Sequence, residues 1–182
     1  MNTTFRTYLE ASAPLEEVLD AVAPGRWSAA SPCAGWTARD VLGHLIATQR
    51  DFFTGRGHDV GVAPGIEADP VAAWREHARM ITALLRDDAV VAAGYDGFFG
   101  PTTTGETFET FYVWDMLVHR WDIAMAGGTD ANLTAEEIDR IDRGAAAFGE
   151  GLYMEGVCRP GVEAGPGDDG LAQVLAKLGR RV

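Results

Sequence analysis

At 182 residues, with 47% hydrophobic and 23% charged positions, the chain can bury one sizeable core and reads as a single domain over 1–182. A formal net charge of -12, from 15 basic and 27 acidic residues, argues against a general nucleic-acid binder, because phosphate contacts need clustered Lys and Arg. No apolar run reaches the about 20 residues of a membrane-spanning helix, Met1–Arg6 does not read as a signal peptide, and Cys33 and Cys158 are too few for a disulfide framework, so the expectation is a cytoplasmic protein with no membrane partner.

Phe5, Tyr8, Leu15, Val18, Leu19 and Val22 recur at helical spacing and predict a first helix over 4–22, which Pro14 should kink or interrupt. Pro24-Gly25, Ser31-Pro32 and Gly35 mark a loop as far as Trp36. Thr37 with Asp40 forms a capping-box pattern that opens a second helix, with Val41, Leu45, Thr48 and Phe52 as its inner stripe and Gly55 and Gly57 at its end. After a Gly- and Pro-rich loop, Asp69-Pro70 begins a third helix that the apolar period carries to about Ala93. Gly94–Gly105 reads as a loop or short hairpin. A fourth helix is expected from about Glu106 to Ala126, stopping at Gly127-Gly128. Thr134 with Glu137 opens a fifth, to about Gly149, and Asp168 or Asp169 caps a short last one over 171–178. The fold class is therefore all-α, a helical bundle with short additional C-terminal helices.

The second and fourth helices place polar residues on faces whose apolar pattern predicts burial. On the fourth, Asp115, His119 and Asp122 stand at i, i+4 and i+7, on one helical face bordered by Phe108, Phe111 and Val118. On the second, His44 lies among Val41, Leu45 and Thr48. Buried carboxylate and imidazole groups need partners, and a metal ion satisfies both types together. Two imidazoles and one carboxylate form a ligand set used by catalytic zinc and non-haem iron, with a position left for water or substrate. Asp122 is a candidate to orient a ligand imidazole. The same spacing also suits a metal-free His–Asp hydrogen-bonded pair.

Two stretches resemble a known family. Ser31-Pro32-Cys33-Ala34-Gly35-Trp36-Thr37-Ala38-Arg39-Asp40-Val41-Leu42-Gly43-His44-Leu45 is similar to the approach to the metal-binding helix in mycothiol-dependent maleylpyruvate isomerase N-terminal domains. Asp115-Met116-Leu117-Val118-His119-Arg120-Trp121-Asp122-Ile123-Ala124 resembles the second motif of that family, and the ending Leu171–Arg180 looks like a shorter actinobacterial branch. The resemblance implies a DinB-like four-helix bundle with one divalent metal, and thiol-dependent chemistry in some members. By position, His44 matches the first ligand and His119 the last, while Asp115 stands where the isomerases carry Glu, one methylene longer.

Cys33 reads as a small residue packed in the loop between Trp27 and Trp36, although the start of a helix can also lower a thiol pKa. His77 reads as a hydrogen-bonded packing residue, with a fourth ligand or general base as the alternative. Most of the tryptophans should be core, with Trp121 a candidate to line a pocket. The functional expectation is an enzyme that holds zinc, nickel or iron and activates a mycothiol-like small-molecule thiol for transfer or isomerisation of a small-molecule substrate. The alternative is a metal-binding or sensor protein without turnover, and either is compatible with a monomer or a homodimer.

Overall fold

The computed structural model describes residues 1–154, 158–165, 167 and 169–181, and is helical apart from one small antiparallel hairpin. Two compact units divide the chain, 1–131 and 132–182. No helix among the described residues is long and apolar enough to cross a membrane.

In the first unit, helix α1 runs Thr3–Ala21, α2 Ala38–Thr54, α3 Pro70–Leu85 and α6 Trp114–Gly127. Each of these four packs against two of the others, in the cyclic order α1, α3, α2, α6. The shared interior takes Tyr8, Leu15 and Leu19 from α1, and Val41, Leu42 and Phe53 from α2. From α3 and α6 it takes Trp74, Ile81, Leu117 and Ile123. Burying each such side chain contributes about 1.5–3 kcal/mol relative to exposure. This is the expected all-α bundle.

Local chemistry sets the ends of these helices. Asn2 caps α1 by accepting from the Phe5 amide, and its own amide group donates to the Leu85 carbonyl, fastening α1 to the end of α3. Thr37 and Asp40 close the predicted capping box of α2, and Asp69 with Pro70 starts α3. Gly128, at φ 72°, ends α6 in the left-handed conformation glycine tolerates. Pro14 does not interrupt α1: it forfeits one backbone hydrogen bond, while the stripe Tyr8, Ala11, Leu15, Val18 keeps the helix packed through it.

Two predicted elements differ from the structure. The third helix does not continue to Ala93, because the Asp87 carboxylate accepts from the Ala89 amide and starts a separate short helix, α4, over Asp88–Ala92. The fourth helix is composite. A capping box of Thr103 and Glu106 begins α5 at Thr104–Thr107, a π-helical stretch follows over Phe108–Val113, and α6 then resumes regular α geometry. Gly105 permits this start: a Cβ there would lie 2.6 Å from both Thr4 Oγ1 and Val91 Cγ1. Before it, β1 (Gly94–Gly97) pairs with β2 (Gly100–Thr103), so the Gly94–Gly105 segment is a hairpin.

The second unit contains α7 (Ala135–Phe148), capped by Thr134 and Glu137 as their spacing predicts, and α8 (Gly170–Lys177). Asp169 supplies the cap of α8, and Asp168 lies outside the described residues. Lys177 Nζ pairs with Asp142 at 2.5 Å, and the Tyr153 hydroxyl donates to the Lys177 carbonyl.

Candidate metal centre

Helix α2 brings His44 against α6 at the level of Asp115, although 71 residues separate them in sequence. His44 Nε2 lies 3.2 Å from Asp115 Oδ2, and His119 Nε2 lies 3.3 Å from Asp115 Oδ1. Each carboxylate oxygen thus faces one imidazole, and the ligand atoms of all three residues are within 4.8 Å of one another. The two imidazole rings meet nearly edge to face, with centroids 5.2 Å apart. The spacing of i, i+4 on α6 puts Asp115 and His119 on one face; the contact between α2 and α6 supplies His44.

The cluster is closed on one side and open on the other. The His119 side chain is 7% exposed and Asp122 is wholly buried, whereas His44 and Asp115 are 27% and 25% exposed. Asp122 Oδ2 accepts from His119 Nδ1 at 2.8 Å. A carboxylate can only accept, so this contact keeps the proton on Nδ1 and leaves Nε2 as the nitrogen directed at Asp115. Trp36 lies over the open side, its ring centroid 4.9 Å from that of His44 and 6.2 Å from that of His119.

Electrostatics couple the three groups. Burial by itself raises the Asp115 pKa, but the charge of His119 and hydrogen bonds from both imidazoles outweigh it and hold the carboxyl well below its usual range. Burial lowers the His119 pKa, yet Asp115, Asp122 and Cys33 together leave it well above the ordinary histidine value. With no ion bound, the pair is an imidazolium facing a carboxylate. A divalent cation presents the same positive charge to the carboxylate and accepts two nitrogen lone pairs, so the donor set fits one.

Sequence reading misses two members of this environment. The Cys33 thiol donates to Asp122 Oδ2 at 3.2 Å and lies 3.9 Å from His119 Nδ1, so Cys33, His119 and Asp122 form a second group of close donor atoms. Its contacts are 86 and 89 residues away, beyond any local periodicity. Trp36 rather than Trp121 borders the opening: Trp36 is 36% exposed, while Trp121 is buried in the core. His77 does not join either group. It is fully buried on α3, with Nε2 2.9 Å from Gln49 Oε1, and burial, helped by the charge of Arg50, pushes its pKa down to about 3.

The sequence profile of the family described as mycothiol maleylpyruvate isomerase N-terminal domain matches residues 8–124, which include His44, Asp115, His119 and Asp122. No curated protein and no solved structure matches.

Proposed function

Because the chain belongs to the mycothiol maleylpyruvate isomerase N-terminal domain family, a family of DinB-like metal-binding bundles, we propose that it is a metal- and thiol-dependent enzyme whose centre is His44, Asp115 and His119. The observation that carries this reading is the convergence of three ligand atoms within 4.8 Å on the partly open side of a buried cluster. Three protein ligands leave a position for a further ligand. When bound, a divalent ion, zinc first among zinc, nickel and iron, lowers the pKa of a coordinated thiol and supplies a nucleophile at neutral pH.

The residues of the chain have separable roles in this reading. His44 and His119 offer neutral nitrogens, and Asp115 offers one negative charge. Asp122 fixes the His119 ring and its tautomer from behind. Trp36 limits the approach over His44 to one side and provides a flat apolar surface for the incoming molecule. Family membership supports a mycothiol-like thiol as the nucleophile and transfer or isomerisation as the reaction class.

The test is elemental analysis of protein purified without chelator, beside the His44→Ala variant, followed by thiol titration of the cobalt-substituted protein. About one equivalent of metal in the parent, its loss in the variant and a thiolate charge-transfer band are the expected results. No metal after reconstitution with zinc, nickel and iron would reject the reading. Metal without any response to thiols would leave a binding or sensor protein.

A further inference from the structure

A second group of polar atoms lies further along the same pair of helices. Phe52 follows His44 by eight residues, ~12 Å along α2 at 1.5 Å per residue. Its ring centroid is 4.6 Å from that of Tyr112, in the π-helical stretch, and Phe108 stacks on Tyr112 at 5.4 Å and lies 5.8 Å from Phe52, so the three rings form one cluster. The Arg56 guanidinium sits between two rings, 3.6 Å from the Phe52 centroid and 4.1 Å from that of Tyr95 on β1.

The donors here are incompletely used. Arg56 Nη1 donates to the Phe52 carbonyl at 2.9 Å, but Nε is buried without an acceptor. No described carboxylate lies within 4.0 Å of the guanidinium, so its charge has no ion-pair partner among the described residues. The Tyr112 hydroxyl is half-buried and makes no hydrogen bond to a described residue. Burial pushes its pKa up to about 12, with Arg56 opposing and Tyr95, Asp115 and Asp51 adding to the rise, so it remains a proton donor. Buried tyrosine hydroxyls and guanidinium N–H groups ordinarily find partners.

We propose that Arg56 and Tyr112 form a carboxylate-binding subsite that takes the anionic end of an organic acid. Arg56 acts electrostatically on Tyr112, and one full positive charge with one neutral donor matches a planar monoanion with two acceptor oxygens. A molecule that reaches both the Phe52 level of α2 and the His44 cluster must span ~12 Å, given the rise per residue along α2. The subsite stands on its own donors and goes beyond the metal reading.

Calorimetric titration of the zinc-treated protein with hexanoate and with hexanamide tests it. Hexanoate is expected to bind at least about tenfold more tightly, the scale of one charge-assisted hydrogen bond. The preference should vanish in Arg56→Gln and persist in His44→Ala. Tyr112→Phe keeps the ring stack and should weaken hexanoate several-fold; thermal melting checks that each variant is folded. Equal binding of the two probes by the parent, or an unchanged hexanoate affinity in Tyr112→Phe, overturns the subsite. A preference that survives Arg56→Gln and disappears in His44→Ala places the carboxylate on the metal, which overturns the subsite and leaves the metal reading intact. A preference that depends on Arg56 in a protein that takes up no metal supports the subsite while the metal reading fails.

Discussion

The buried carboxylate of Asp122 stands 2.8 Å behind Nδ1 of His119, on the side away from Asp115, and also accepts from the Cys33 thiol. One side chain therefore sets both the proton position and the ring orientation of a candidate ligand. Asp122→Asn preserves the shape but presents either an amide N–H to Nδ1 or a weaker acceptor. The expected result is a 10–100-fold loss of zinc affinity, the range found for partners that orient metal-binding imidazoles. Competition against a chromophoric chelator measures it. An unchanged affinity would make Asp122 a packing residue.

Proton release on metal uptake follows from the electrostatics of the His119–Asp115 pair. His119 has its pKa raised, so at pH 7 the metal-free protein holds it protonated, while Asp115, with its pKa lowered, is already ionised. With His119 as a ligand, as proposed, zinc would take its lone pair and expel that proton, so affinity should rise with pH until His119 loses its proton without metal. Calorimetry in buffers of different ionisation enthalpy should show about one proton released at pH 7. Metal uptake with no proton release would contradict this pairing of His119 with Asp115.

Acid stability should report on His77. Its folded pKa, about 3, lies below the ordinary value of 6.5, so the unfolded state binds a proton that the native state refuses. Its contribution is complete above pH 6.5 and is lost progressively as pH falls from 6.5 towards 3. The slope is about 1.4 kcal/mol per pH unit for one such group. Urea titrations of the parent and of His77→Gln between pH 7 and pH 4 should give curves that converge as the pH falls. Parallel curves would mean that another group controls acid unfolding.

Gly105 tests the start of the composite helix. A methyl group there meets Thr4 Oγ1 and Val91 Cγ1 at 2.6 Å and the Val91 carbonyl at 3.2 Å. Gly105→Ala should cost about 1–3 kcal/mol, as for an overpacked core position. The measurement is the shift in urea midpoint. A neutral or stabilising change would show that α1 and α4 yield easily at this point.

Much of this architecture was legible in the residues themselves. Apolar spacing located α1, α2 and α3, capping boxes located the starts of α2 and α7, and Asp69-Pro70 located that of α3. These features depend on side chains within about one helical turn of each other, so the sequence carries them directly. The same is true of Asp115, His119 and Asp122 sharing a face of α6. The break at Asp87 was also local, but the apolar period, read on to about Ala93, concealed it. The π-helical stretch had no such mark: nothing in the run Phe108–Val113 distinguishes it from regular helix.

What the tertiary structure alone decided lies across helices. It set His44 within 3.2 Å of Asp115 and turned Cys33 onto Asp122, and it left Trp36 at the surface while Trp121 entered the core. It also placed Arg56 between Phe52 and Tyr95. Periodicity names the face a residue occupies and says nothing about which residue of another helix it will meet. That is fixed by how α1, α2, α3 and α6 pack their side chains into one interior, where the register between helices follows from the volumes of all the buried residues together.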